Sequence, residues 1–94
     1  MPRSPKPPRT GQGRLTLARQ SHLVNFEIRF LESQGQRFAK GAVTGPPEIM
    51  REAFKQSRGR LELDDGQELV VSFIAHTEGS ATVYFESAPI PYSR

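Results

Sequence analysis

The chain has 94 residues, 35% hydrophobic and 24% charged, with a formal net charge of +3 and no cysteine. That length makes one domain, and the missing thiols remove disulfides, thiolate nucleophiles and cysteine-held metals or clusters. No run approaches the length of a membrane span and the N-terminus has no signal-peptide pattern, so a soluble cytoplasmic protein is expected.

Charge is segregated along the sequence. Residues 1–60 hold twelve Lys and Arg against Glu27, Glu32, Glu48 and Glu52. Beyond them come Glu62, Asp64, Asp65, Glu68, Glu78 and Glu86, with Arg94 as the only base. Such a distribution bears on partners in a way the net charge does not.

Residues 1–13 contain four Pro, two Gly, and Arg3, Lys6 and Arg9, with Met1 as the only large apolar residue. A segment of that kind buries too little apolar area to offset its ordering entropy, so a disordered basic arm is expected. Pro2, Pro5 and Pro8 form two PxxP frames, but no basic residue flanks them at the spacing of an SH3 ligand.

Leu15 and Leu17 alternate with polar neighbours in a short strand that carries Arg14 and leads to Arg19. His22, Val24, Phe26, Ile28 and Phe30 then fall on one face of a second strand, opposite Asn25, Glu27 and Arg29. Ser33-Gln34-Gly35-Gln36 reads as a hairpin turn, after which Arg37 to Val43 returns antiparallel. The period switches at Pro46-Pro47, where apolar residues at 49, 50, 53 and 54 predict a helix ending near Gly59. Arg60 to Asp64 and Glu68 to His76 form a hairpin through Asp64-Asp65-Gly66, and Ala81 to Ser87 forms the last strand. Residues 69–76 are apolar on both faces, which predicts a central strand covered twice. Residues 88–94, interrupted by Pro89 and Pro91, read as a flexible tail.

The expected fold is α+β and mostly antiparallel: a small barrel-like or strongly curved sheet of about six strands with one helix, βββ-α-βββ, over residues 14–87. In element count it resembles the cyclic-dinucleotide-binding PilZ domains. Their ligand residues are an Arg-x-x-x-Arg pair and an Asp/Asn-x-Ser-x-x-Gly segment. Here Arg14 and Arg19 form the nearest pair, at a different spacing, and the second motif is missing, so no family is assigned.

No catalytic, metal or cofactor set is nominated. His76 and Glu78 could share a strand face, but a hairpin tip explains them without a metal. Asp64 and Asp65 are residues that turns select for backbone reasons. Lys40 to Gly45 lacks the Gly-Lys-Ser/Thr ending of a phosphate loop.

The expected function is a non-catalytic binding module that meets an acidic partner, nucleic acid or an acidic protein surface, through its basic arm. The nominated contact residues are Arg3, Lys6, Arg9, Arg14, Arg19, Arg37, Lys40, Arg58 and Arg60. A nucleic-acid surface also needs exposed aromatics to stack bases, and register leaves only Phe38 and Tyr84. The alternative is a homodimeric assembly protein with apolar sheet faces and charge-complementary rims. A membrane partner is not expected.

Overall fold

The computed structural model describes residues 8–90. The elements run β1 (Arg9–Leu17), β2 (Gln20–Ser33), β3 (Gln36–Thr44), α1 (Pro47–Gln56), β4 (Arg58–Glu62), β5 (Glu68–His76) and β6 (Thr82–Ser87). The strands close into an antiparallel barrel in the order β1-β2-β3-β6-β5-β4, the small α+β barrel that the alternation predicts.

Turn residues fix the hairpins. Gln34 and Gly35 both adopt positive φ, 53° and 77°, the type I′ pattern whose twist matches the flanking strands. At the β4–β5 turn, Asp65 Oδ1 accepts the Gln67 backbone N–H at 2.9 Å, the local bond that makes Asp a turn former. Closure depends on a short ladder between β1 and β4: Arg14 opposite Glu62, Leu15 opposite Leu61 and Thr16 opposite Arg60.

Alternate residues point inward. Leu15, Val24, Ile28, Val43, Leu61, Val71, Val83 and Phe85 are among the buried residues that fill the barrel. Helix α1 plugs one end, packing on β4, β5 and β6 with Met50 and Ala53 fully buried. Pro47 occupies its first turn, where the missing N–H costs nothing.

Several expectations need correction. The strand region begins at Arg9, not at residue 14. The two glycines that looked like flexibility signals serve close packing instead: a Cβ on Gly13 would lie 2.4 Å from the Glu62 carbonyl oxygen. Residues 1–7 of the expected arm, with Arg3 and Lys6, lie outside the described residues. The expected tail is also tied down at its start. Ala88 N–H donates to the Val70 carbonyl at 2.9 Å and Ile90 N–H to that of Arg37 at 2.7 Å, while residues 91–94 lie outside the described residues.

The helix ends at Ser57, not Gly59. Ser57 takes the left-handed conformation at φ 72°, and its N–H donates to the carbonyls of Ala53 and Phe54. Gly59 sits inside β4 opposite Val71.

Strand β5 is covered on one side only. Leu69, Val71 and Phe73 face the core, but Val70 and Ile74 are each 56% exposed on the outer wall. The helix closes the end of the barrel, and among the described residues nothing covers that wall.

Candidate functional site

The register sorts the nominated cations into groups with different surroundings. Arg9 is consumed within the fold: its guanidinium donates to the Asp64 carboxylate and lies 3.3 Å from Asp65. The hydrogen bond to Asp64, together with both aspartate charges, raises the Arg9 pKa above its ordinary value. Asp65 is held below the usual carboxylate range, first by the Gln67 N–H and then by the Arg9 charge. Arg37 stacks on Phe30, 4.8 Å from guanidinium carbon to ring centre, a cation–π contact. Lys40 Nζ lies 3.4 Å from Glu86.

Three nominated residues share one wall, and a fourth stands in the turn that follows β1. Arg58 and Arg60 project outward from β4, facing Ser72 and Val70 of β5. Thr16 of β1 pairs with Arg60, and Arg14 lies two residues away on the same outer face. Arg19, in the turn after β1, lines a small depression with Glu52 and Gln56 of α1. Lys55 stands in the last helical turn, one residue before the stretch that leads into Arg58. None of Arg14, Arg19, Lys55, Arg58 and Arg60 has an ion-pair partner among the described residues. Toward the other end of the same wall Glu62 stands opposite Glu68, near Asp64 and Asp65. Along the outer face of β4 the charge thus runs from basic at Arg58 and Arg60, next to the helix, to acidic at Glu62 and the Asp64-Asp65 turn.

A second feature lies across β1, β2, β3, β6 and β5. Their outer faces enclose a groove of about 1140 Å³ whose lining includes Glu27, Arg29, Lys40, Ile74 and Tyr84. Tyr84 is 53% exposed because both cross-strand neighbours are small: Ala42 on β3 and Ala75 on β5. The β5 register shifts between Phe73 and Ala75, which leaves Ile74 outside the pairing and turned to solvent; bulges commonly re-aim a side chain in this way. At the groove's other end Arg29 of β2 lies directly opposite Lys40 of β3. Of the two expected aromatics, Tyr84 stands free, while Phe38 is half-buried opposite Leu31.

Arg29 and the pair of alanines were missed by the nomination of contact residues. Arg29 was visible on the polar face of its strand, but its facing Lys40 required the β2–β3 register. Nothing in the sequence alone joins Ala42, Ala75 and Tyr84.

The acid–base and metal candidates have structural partners. His76 Nε2 is 3.0 Å from the Ser80 carbonyl oxygen, and Glu78 lies 3.6 Å from Arg51. Among the described residues no group of three or more His, Asp or Glu is placed to hold a metal ion, and no helix is long and apolar enough to cross a membrane. Comparison with protein-family models, curated proteins and solved structures returns no match.

Proposed function

We propose that this barrel is a non-catalytic binding module for a polyanionic partner, with nucleic acid as the partner that fits best. One observation carries the reading: Arg14, Arg58 and Arg60 share the outer β1–β4 face and Arg19 stands in the turn after β1, with no ion-pair partner for any of them among the described residues. Arg58 and Arg60 face Ser72 and Val70 and not acids, so their charges repel one another, and a partner with repeated negative charge relieves that cost. Guanidinium forks suit phosphate, which they bind with two parallel N–H bonds. The wall, more than the arm alone, is the contact surface; Arg3 and Lys6 of the expected arm lie outside the described residues.

The test is a binding titration of the full chain against single-stranded and duplex oligonucleotides and polyglutamate over a salt series. Four phosphate contacts give a log–log salt slope of roughly −3 to −4. Arg58→Glu with Arg60→Glu should weaken binding and flatten that slope. Binding to polyglutamate alone moves the partner to an acidic protein surface. Salt-independent binding, or none to any polyanion, overturns the reading.

A second reading, homodimerisation, has its own observation: Val70, Ile74 and Tyr84 are each more than half exposed on the neighbouring strands β5 and β6. Light scattering tests it, since a stable dimer without affinity for polyanions replaces the first reading and a monomer removes the second.

A further inference from the structure

The groove takes no residue from β4 and does not need Arg58 or Arg60, and its chemistry is graded from end to end. At one end Tyr84 stands between the small residues Ala42 and Ala75 and is 53% exposed, with Ile74 beside it in the lining. At the other end Arg29 and Lys40 face each other across β2 and β3. Like charges directly opposite on a sheet are destabilising. Glu86 offsets only the Lys40 side, at 3.4 Å, and Arg29 has no ion-pair partner among the described residues. Glu27, a carboxylate that accepts hydrogen bonds and disfavours phosphate at that end, lies in the same cross-strand row as Tyr84, through Ala42.

We infer that this groove seats a nucleotide unit, its base stacked on Tyr84 and its phosphate between Arg29 and Lys40. Tyr84 and Lys40 are diagonal neighbours on adjacent strands, and such positions are about 7–8 Å apart, within the span of one nucleotide once the long side chains extend. Stacking on an aromatic ring tolerates any base, while Glu27 and the nearby Asn25 amide offer hydrogen-bond partners to base amino or ribose hydroxyl groups. An acidic peptide satisfies the cationic end but leaves Tyr84 unstacked, and an apolar partner leaves Arg29 and Lys40 uncompensated. The unit is either a free nucleotide or one residue of a strand. The site rests on the wall reading only for the ligand class, and does not need the wall residues to form.

The chain has two tyrosines and no tryptophan, so Tyr92→Phe leaves Tyr84 as the sole tyrosine reporter. In that full-length background, tyrosine fluorescence is titrated with adenosine monophosphate, a ten-residue single-stranded oligonucleotide, ribose-5-phosphate and inorganic phosphate. Base stacking predicts quenching by the first, the second or both, and none by the sugar phosphate or phosphate alone. Quenching by the mononucleotide identifies a free-nucleotide site; quenching by the oligonucleotide alone identifies a strand site. Replacing Tyr84 by Ala should weaken binding, followed by calorimetry, roughly 5- to 160-fold, the range for one base stacked on an aromatic, and Tyr84→Phe should retain it. Arg29→Gln should weaken binding of both ligands while leaving the folded spectrum unchanged. Absence of quenching by either nucleotide, an unchanged affinity in Tyr84→Ala, or quenching that follows protein concentration without ligand (a second copy on the groove) overturns the site. Arg58→Glu with Arg60→Glu is the control: retained groove quenching with lost salt-dependent binding separates the two surfaces, so either can fail alone.

Discussion

Arg9 and Asp64, fifty-five residues apart in sequence, are joined by a side-chain hydrogen bond that bridges the seam of the barrel. The β1–β4 ladder stops at Arg14 and Glu62, and beyond it β1 pairs only with β2. The β4–β5 turn folds over that unpaired edge, and the ion pair with Asp64 and Asp65 holds it there, with the Arg9 guanidinium 6.0 Å from the Phe26 ring centre. Arg9 therefore serves the fold and is withdrawn from the partner surface.

Substituting Arg9 by Ala should destabilise the barrel modestly. The side chains of Arg9 and Asp64 are 32% and 49% exposed, and exposed ion pairs contribute about 0.2–1 kcal/mol. Urea unfolding reads the effect as a small drop in midpoint at constant slope. Polyanion affinity should be unchanged apart from the loss of one charge. A cost far above this range shows that β1 depends on the clasp for its pairing as a whole.

The same clasp sets a pH dependence. The Asp65 carboxyl is pulled below its ordinary value of 3.8 by the Gln67 N–H and Arg9. Its folded pKa is lower than its unfolded one, so its contribution is full above the unfolded value and lost as pH falls through the folded value. Thermal unfolding followed from pH 6 downward should therefore show a loss of stability beginning below about pH 5. Asp65→Asn should reduce that loss, and an unchanged acid limb in the variant removes Asp65 as its source.

Most of the barrel was legible because period-2 alternation and hairpin chemistry are local signals. The faces of β2, the Gln34-Gly35 turn and the β4–β5 hairpin follow from neighbours in sequence. What escaped depends on pairing across the closure. Gly11 and Gly13 read as flexible until Glu62 and Asp64 are placed against them, and Ser57 gives no composition signal for a left-handed helix end. The nine nominated bases were selected for charge alone. Register then put Arg9 in the seam, Arg37 on Phe30 and Lys40 beside Glu86, and brought Arg14, Arg58 and Arg60 to one wall.

Gly41 should tolerate no side chain. A Cβ there would fall 2.0 Å from the Glu27 carbonyl oxygen and 3.0 Å from Ile28 Cα, so β2 and β3 would have to part. Backbone crowding of this kind costs about 1–3 kcal/mol or more. By contrast, nothing lies within 4 Å of a Cβ on Gly35, and its φ of 77° is the only obstacle, worth roughly 1–2 kcal/mol. Thermal melts should rank Gly41→Ala as the more damaging of the two; the reverse order contradicts the closeness of β2 and β3.

Ser57→Gly should stabilise the protein. Ser57 pays for a left-handed φ of 72°, which glycine adopts without penalty, and relief of that strain is worth roughly 1 kcal/mol. The backbone bonds at this corner survive the change: the N–H still caps α1 and the carbonyl still accepts the Phe73 N–H at 2.9 Å. A lowered unfolding midpoint in the variant shows instead that the serine side chain holds the corner.

Ser87 is the buried polar residue whose loss should be felt most. Where β6 leaves the β3 ladder after Glu86, Ser87 Oγ substitutes for a strand: it accepts the Ala39 N–H at 2.7 Å and donates to the Ala88 carbonyl at 2.9 Å. Replacing Ser87 by Ala leaves the Ala39 N–H buried without a partner, a loss of about 1–3 kcal/mol. It also frees the segment that carries Ile90 to Arg37. Hydrogen exchange distinguishes a local from a global effect: the Ala39 and Ile90 amides should exchange faster in Ser87→Ala while those of β1 and β4 change only by the overall loss of stability. Equal acceleration at every core amide argues that Ser87 supports the whole barrel, and unchanged exchange at Ala39 argues that its N–H finds another acceptor.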